Sequence, residues 1–231
     1  MKAVVLAAGL GRRLAAITVD KPKVLVKIGH KTLIEHTLTK LRDLGITQIA
    51  LVVGYKGEMV REVVGDTVIY YAQKKRLGTA HAFLQAKDFV DGSFFLGMNG
   101  DMFFTDPLVD FIKLRPPSIS VYRVEDSSRY GRFEIKNGKV VSIREKATEA
   151  ASGFINAGVY LFPKEIFTYI EKTPLSPRNE YEITDTIQMM INEGWVFKAY
   201  ELKGFWKDIA YVADIEEAQK ALRQTGIKQK D

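Results

Sequence analysis

The stretch Met1-Lys2-Ala3-Val4-Val5-Leu6-Ala7 reads as a buried strand, and it runs straight into Ala8-Gly9-Leu10-Gly11-Arg12-Arg13-Leu14. Ten residues after Arg13 comes Lys23, introduced by Lys21-Pro22. A glycine loop at the end of a first strand can offer backbone N–H groups to phosphate oxygens. Arg13 and Lys23 can add fixed positive charge to the same anion. The chain therefore opens with a candidate triphosphate site. The alternative is an ordinary Gly-rich turn with solvated basic residues, because a lone Gly-x-Gly carries little information.

Two familiar phosphate motifs are excluded. A dinucleotide fingerprint needs a third Gly or Ala where this chain has Leu14, followed by a helix. Here the loop runs on through Ile17-Thr18-Val19-Asp20 to Pro22. A Walker A loop needs Gly-Lys-Ser/Thr after its spacer, and none is present.

Outward from this loop, strand and helix patterns alternate. Leu33, Ile34, Leu38, Leu41 and Leu44 form a helical stripe closed by Gly45. A strand over 48–53 and a helix over 58–63 follow. Then come a strand over 68–71, a helix over 79–89, an apolar strand over 94–98 and a short helix over 107–114. Repeated strand–helix order predicts an α/β fold with a parallel sheet covered on both faces. Ligands in such sheets bind beyond the carboxyl ends of the strands. After residue 115 the pattern becomes mixed. A strand over 118–124 precedes a hairpin turning at Lys136-Asn137-Gly138-Lys139. A strand over 153–162, a helix from Pro163, a helix over 183–193, a strand over 196–202 and a helix over 213–223 complete it.

The chain has 231 residues, 46% hydrophobic and 27% charged, enough for one large domain or two small ones and for a sizeable core. No apolar run approaches the roughly eighteen residues of a membrane span. No signal peptide is legible in residues 1–7, so the cytoplasm is the expected location. The absence of cysteine excludes disulfides, thiolate metal sites and a cysteine nucleophile. The net charge of +6 raises nucleic-acid binding, but the basic residues form no stripe beyond Lys74-Lys75-Arg76, so no nucleic-acid partner is expected. There is no internal repeat, and in particular no hexapeptide β-helix array.

Four further groups sit where loops can meet the first one. Gln73 precedes Leu77-Gly78-Thr79-Ala80-His81. A Gln amide can pair with a base edge, and Gly78 allows close approach. Asn99-Gly100-Asp101 follows the apolar strand, where a carboxylate suits magnesium shared with phosphate oxygens. Trp206-Lys207-Asp208-Ile209 offers Asp208 as a second metal ligand or as a helix cap. Glu145-Lys146, Asn156-Ala157-Gly158 and Glu180-Tyr181-Glu182-Ile183-Thr184-Asp185 gather groups that suit sugar hydroxyls and a phosphate. His30, His36 and His81 share no metal-ligand spacing and read as packing or surface residues.

This ordered set resembles the motifs of the sugar-1-phosphate nucleotidylyltransferases, over essentially the whole chain. The likeness begins at Ala7-Ala8-Gly9-x-Gly11-x-Arg13-Leu14 with Lys21-Pro22-Lys23 and ends at Trp206-x-Asp208. It implies a Rossmann-like α/β/α fold in three layers, with a mixed, mostly parallel central sheet. It implies one domain over 1–231, with a nucleotide-binding half to about 115 and a sugar-binding half from about 116. The implied reaction joins a nucleoside triphosphate to a sugar 1-phosphate with magnesium, releasing pyrophosphate.

By the same likeness Arg13 and Lys23 handle the triphosphate. Ala7, Ala8, Gly9 and Gly11 line the nucleotide, and Gln73, Gly78 and Thr79 read the base. Asp101 and Asp208 hold magnesium. Gly131, Glu145, Asn156, Glu182 and Thr184 address the sugar, with Lys146 near its phosphate. The pattern is most similar to members using UTP or dTTP with glucose or N-acetylglucosamine 1-phosphate. Self-association is left open.

Arg12, Ala16 and Ala210 stand where the family usually has Thr or Ser, Pro and Gly. The nearest enzymatic alternative is a cytidylyltransferase acting on a polyol or choline phosphate. A non-catalytic regulatory subunit of the same fold is the rival of another class. It should have lost one of Arg13, Lys23, Asp101 or Asp208, and all four are present.

Overall fold

A computed structural model describes residues 1–9, 11–14, 18–128, 130–144 and 151–224. In chain order the first strands are β1 (Lys2–Ala7), β2 (Lys27–Ile28), β3 (Lys31–Thr32), β4 (Ile49–Val53), β5 (Ile69–Ala72), β6 (Phe94–Asn99) and β7 (Met102–Phe104). The later ones are β8 (Ser118–Val124), β9 (Arg132–Lys136), β10 (Lys139–Arg144), β11 (Gly153–Pro163), β12 (Phe197–Glu201) and β13 (Trp206–Asp208). Nine of them form one sheet in the order β5-β4-β1-β6-β11-β8-β12-β10-β9, so a single sheet spans both halves of the chain.

The opening strand behaves as its composition demands. Ala3, Val5 and Ala7 face one apolar cluster, and Val4 and Leu6 face the other. Both faces of β1 are therefore covered, which explains the unbroken apolar run. Helices Leu33–Asp43 and Gly57–Val64 cover the first face. Helices Thr79–Gln85, Ile166–Ile170 and Ile183–Asn192 cover the second. The helix at Leu33–Asp43 starts at a capping box, in which Thr32 and Glu35 each bond the other's backbone N–H. On the second face Phe83 meets the rings of Tyr160 and Phe162 edge-on, with centroids 5.9 and 5.6 Å away. A third cluster packs the last helix, Val212–Gln224, under the opening loop through Leu14, Ile209, Ala218 and Leu222.

The three-layer α/β/α fold and the mixed sheet agree with expectation. Parallel pairing is concentrated in β5-β4-β1-β6, with β8–β12 the one further parallel pair of this sheet among the described residues. The second half is otherwise antiparallel, and β9 returns to pair with β11 as well as β10. The hairpin turns at Asn137 and Gly138, both with positive φ, as a two-residue loop requires.

Two expectations change. The helix over 107–114 is only a 3-10 turn at Phe111–Lys113, because Leu108 takes a φ of 60° and buries its side chain instead of continuing a helix. The helix over 79–89 stops at Gln85 and passes into a separate 3-10 turn, Lys87–Phe89. Sequence reading missed the antiparallel pair β7–β13, in which Asp208 lies opposite Met102.

Candidate active site

The carboxyl ends of β1 and β6 bring the opening loop and the Asn99-Gly100-Asp101 turn together. Leu6 pairs with Asn99, and Gly100 N–H donates to the Leu6 carbonyl at 2.8 Å. A Cβ on Gly100 would sit 2.6 Å from that carbonyl oxygen, so only glycine lets the turn approach this closely. The chain then enters β7, whose pairing with β13 carries Asp208 beside Asp101. Ile209 N–H donates to the Asp101 carbonyl at 3.2 Å.

Lys23 joins the two aspartates. Its Nζ lies 2.9 Å from Asp101 Oδ2 and 2.8 Å from Asp208 Oδ1, with the lysine only 6% exposed. Burial by itself would depress the ammonium, but the two carboxylates outweigh it and hold Lys23 well above its usual range. Asp208 is raised, because burial and the nearby Asp101 charge outweigh the ammonium. Two carboxylates converging on one cationic point form a donor set that suits a hard divalent ion such as magnesium. No group of three or more His, Cys, Asp or Glu able to hold a metal occurs among the described residues. Phosphate oxygens and water would have to complete the shell.

Two cavities flank this centre and share Thr79 and Asn99 in their walls. The first, of about 400 Å³, is lined by Ala8, Gly9, Gly11, Lys23, Gln73, Gly78 and Asp101. The second, of about 260 Å³, is lined by Arg13, Gly131, Asn156, Glu182, Thr184 and Asp208. Asp101 thus faces one cavity and Asp208 the other, with Lys23 bridging the seam. Asn99 Oδ1 is buried at that seam without a hydrogen-bond partner, a cost that a bound hydroxyl would relieve.

Most of the residues implied by the sequence are brought to these two cavities. Ala7 instead belongs to the core, paired with Val53. Arg13 is exposed and lines the second cavity, not the first as its assignment to the triphosphate implied. Thr79 Oγ1 accepts from Ile183 N–H at 3.0 Å, tying the first cavity to the start of the helix at Ile183–Asn192. Asn156 accepts from Gly158 N–H and donates to the Tyr160 hydroxyl. Glu182 is buried, and Arg178 Nη2 lies 2.8 Å from its Oε1 without hydrogen-bond alignment. Burial pushes the Glu182 carboxyl up to about 7, against the pull of Arg178. Glu145 and Lys146 lie outside the described residues, as does Ala16.

Residues 2–225 match the family model for nucleotidyl transferases. The chain belongs to the nucleotidyl transferase family. Among its relatives, the bifunctional protein GlmU of Methanocaldococcus jannaschii is 37% identical over 96% of the chain and 54% of that protein. The chain thus spans about half the length of the GlmU relatives it matches. The UTP–glucose-1-phosphate uridylyltransferase AglF of Haloferax volcanii is 35% identical over 97% of both chains. A crystal structure of a putative glucose-1-phosphate thymidylyltransferase from Bacillus anthracis superposes with a TM-score of 0.86, at 30% identity, covering 96% of this chain and 95% of that one.

Sequence reading missed several wall residues. Arg178 and Lys207 both line the second cavity and supply positive charge there. Lys207 pairs with Glu217 at 2.7 Å, while Arg178 pairs with Glu182. Lys207 stood in plain view beside Asp208, but only strand pairing shows which cavity it meets. Asp214 falls inside the helix expected over 213–223, with no role that the sequence assigns. Its Oδ2 accepts from Ala210 and Tyr211 N–H groups at 2.8 and 2.6 Å, clamping the segment after Asp208. Ala210 itself is buried and lines the second cavity.

Proposed function

We propose that this protein transfers a nucleotidyl group from UTP or dTTP to glucose 1-phosphate or N-acetylglucosamine 1-phosphate, forming a nucleotide-diphosphate sugar and pyrophosphate. The observation that carries this reading is the seam. Two cavities meet where one buried lysine and two aspartates converge, which suits two anionic substrates reacting end to end.

The first cavity receives the triphosphate against the Ala8–Gly11 backbone, with the base toward Gln73 and Gly78. The second receives the sugar, with Asn156, Glu182 and Thr184 within its walls and Arg13, Arg178 and Lys207 supplying charge for its phosphate. The attacking group is a phosphate oxygen, ionised near neutral pH, so no general base is required. The barrier lies in bringing two polyanions into line, and positioning plus charge neutralisation lower it. A magnesium ion held by Asp101 and Asp208 would supply further positive charge at the reacting phosphates. Lys23, bound to both aspartates, is placed to exchange a carboxylate for a phosphate oxygen. A reaction that consumes nucleoside triphosphates is compatible with the cytoplasm expected from the sequence.

The test is pyrophosphate release with each of the five common nucleoside triphosphates crossed with sugar and polyol phosphates, with and without magnesium. Magnesium-dependent turnover is expected with UTP or dTTP and a hexose 1-phosphate. Turnover confined to CTP and a polyol or choline phosphate would favour the cytidylyltransferase reading. No turnover with any pair would refute both. Asp101→Asn should lower kcat by roughly a hundredfold or more, on the order of 2–4 kcal/mol of transition-state stabilisation.

A further inference from the structure

His81 has no place in the reaction described above, yet it touches the residue assigned to the base. Gln73 is only 6% exposed, on the wall of the first cavity. Its Nε2 lies 3.0 Å from the Gly78 carbonyl and 3.0 Å from His81 Nδ1. A carbonyl oxygen only accepts, so the amide nitrogen, not its oxygen, must face Gly78. The second hydrogen of that nitrogen then points at His81 Nδ1, which must carry a lone pair. His81 is therefore the tautomer protonated on Nε2. Burial holds its pKa below the usual histidine value, which keeps the ring neutral and the lone pair available. The other ring nitrogen, which then carries the proton, faces Gln85 Nε2 at 3.4 Å, a donor-to-donor contact that is no hydrogen bond; that amide donates instead to the His81 carbonyl at 2.9 Å, so the shorter Gln73 contact decides the tautomer.

Both hydrogens of Gln73 Nε2 are thus spent inside the protein. Gln73 Oε1 bonds to no other described residue. Gly78 N–H, on the same cavity wall, also has no partner among the described residues. The base site therefore offers one acceptor and one donor. An imide edge, with N3–H beside a carbonyl oxygen, answers both. Cytosine, held by its ribose and triphosphate in the same register as uracil, would set its bare N3 lone pair against Gln73 Oε1 and its amino group against Gly78 N–H.

We propose that His81 is a positioning residue that locks the Gln73 amide with its oxygen toward the nucleotide, so that the pocket takes uracil or thymine over cytosine. This rests on the nucleotide assignment above. Flipping the amide would set Oε1 against the Gly78 carbonyl and the His81 lone pair together. With Gln73 only 6% exposed, water has little access to compensate such mismatches. Sites built around a substrate hydrogen bond discriminate strongly for this reason.

The test compares UTP with CTP, by kcat/KM and by calorimetric binding, in the full chain. The wild type should favour UTP by roughly a hundredfold or more. His81→Phe keeps the ring volume and removes the acceptor. It should shrink that preference by roughly tenfold, through a raised KM for UTP with kcat within about a factor of two. His81→Asn puts an amide oxygen near the Nδ1 position and should keep the preference. An unchanged preference in a folded His81→Phe would overturn the proposal. A measurement on the UTP-bound wild type does not depend on either variant folding: the ¹⁵N spectrum of His81 should show Nε2–H and a bare Nδ1. Protonated Nδ1 would equally overturn it. Failure of the wild type to turn over or bind any uracil or thymine nucleotide would instead remove the nucleotide assignment itself.

Discussion

Glu182 is a carboxyl placed where its charge is poorly supported. It lies almost wholly inside the second cavity wall, and its nearest cation, Arg178, is exposed and misaligned. In the folded chain it titrates near 7, against an ordinary value of 4.5. A folded-state pKa above the unfolded one means that the neutral form is the stabilising form. That contribution is fully present below pH 4.5 and is lost as pH rises through about 7. Glu182→Gln keeps the neutral shape at every pH. It should match the wild type in denaturant melts at pH 4.5 and exceed it at pH 8 by on the order of 1 kcal/mol, a figure reduced by solvent screening and by loss of the Arg178 pair. Equal stability gaps at the two pH values would refute this account. The same property fits Glu182 to the sugar proposed for the second cavity, since near neutral pH a carboxyl that exchanges its proton easily can donate to or accept from a hydroxyl.

At the scale of elements, the decisive piece is the short pair β7–β13, because it carries Asp208 to Asp101. The segment after it is held by Asp214, in the first turn of the helix at Val212–Gln224. Two charge-assisted bonds to a buried carboxylate are worth on the order of 1–3 kcal/mol together. Asp214→Ala should lower stability by about that amount in a denaturant melt, and should lower kcat more than it raises KM for the nucleotide, since Asp208 loses its fixed direction. Asp214→Asn keeps an acceptor for both N–H groups and should recover most of each loss. An alanine variant with wild-type kcat would show that Asp208 is held by the strand pair alone.

Legibility in the sequence follows the same division. β1, β4 and β6 were readable because strands buried on both faces are written as apolar runs. The hairpin at Asn137-Gly138 was readable because only a few residues take positive φ. A three-residue strand such as β13 carries no period, and its partner lies a hundred residues away, so Lys207 and Asp214 could not be placed. The short helix over 107–114 failed for a related reason: burial of Leu108 overrode local propensity. Pro22, Gly78 and the aspartates were legible as motifs, but which cavity Arg13 meets depends on packing that no motif encodes.

For the whole molecule, the sheet order decides how the two proposed halves behave. β6, from the nucleotide side, is hydrogen-bonded directly to β11, from the sugar side, over Phe94–Met98 and Val159–Pro163. The apolar cluster on one face contains residues of both halves: Val4, Phe83 and Phe95 pack in the same group as Tyr160, Phe162 and Ile187. Thr79 adds a bond from one half to the first turn of a helix in the other. Separating the halves would expose a central strand edge and cut through that cluster, each unfavourable. The chain should therefore unfold in one transition, with near-ultraviolet and far-ultraviolet circular dichroism melts superposing and the calorimetric and van't Hoff enthalpies equal. A nucleotide bound only in the first cavity should raise that single midpoint for both halves alike. At about a hundred times its Kd it adds about 2.7 kcal/mol, which for a chain of this size is a rise of several degrees. Two resolved transitions, with only one moved by UTP, would mean that the halves are separate folding units and that the seam between the cavities is a contact between them, not part of one framework.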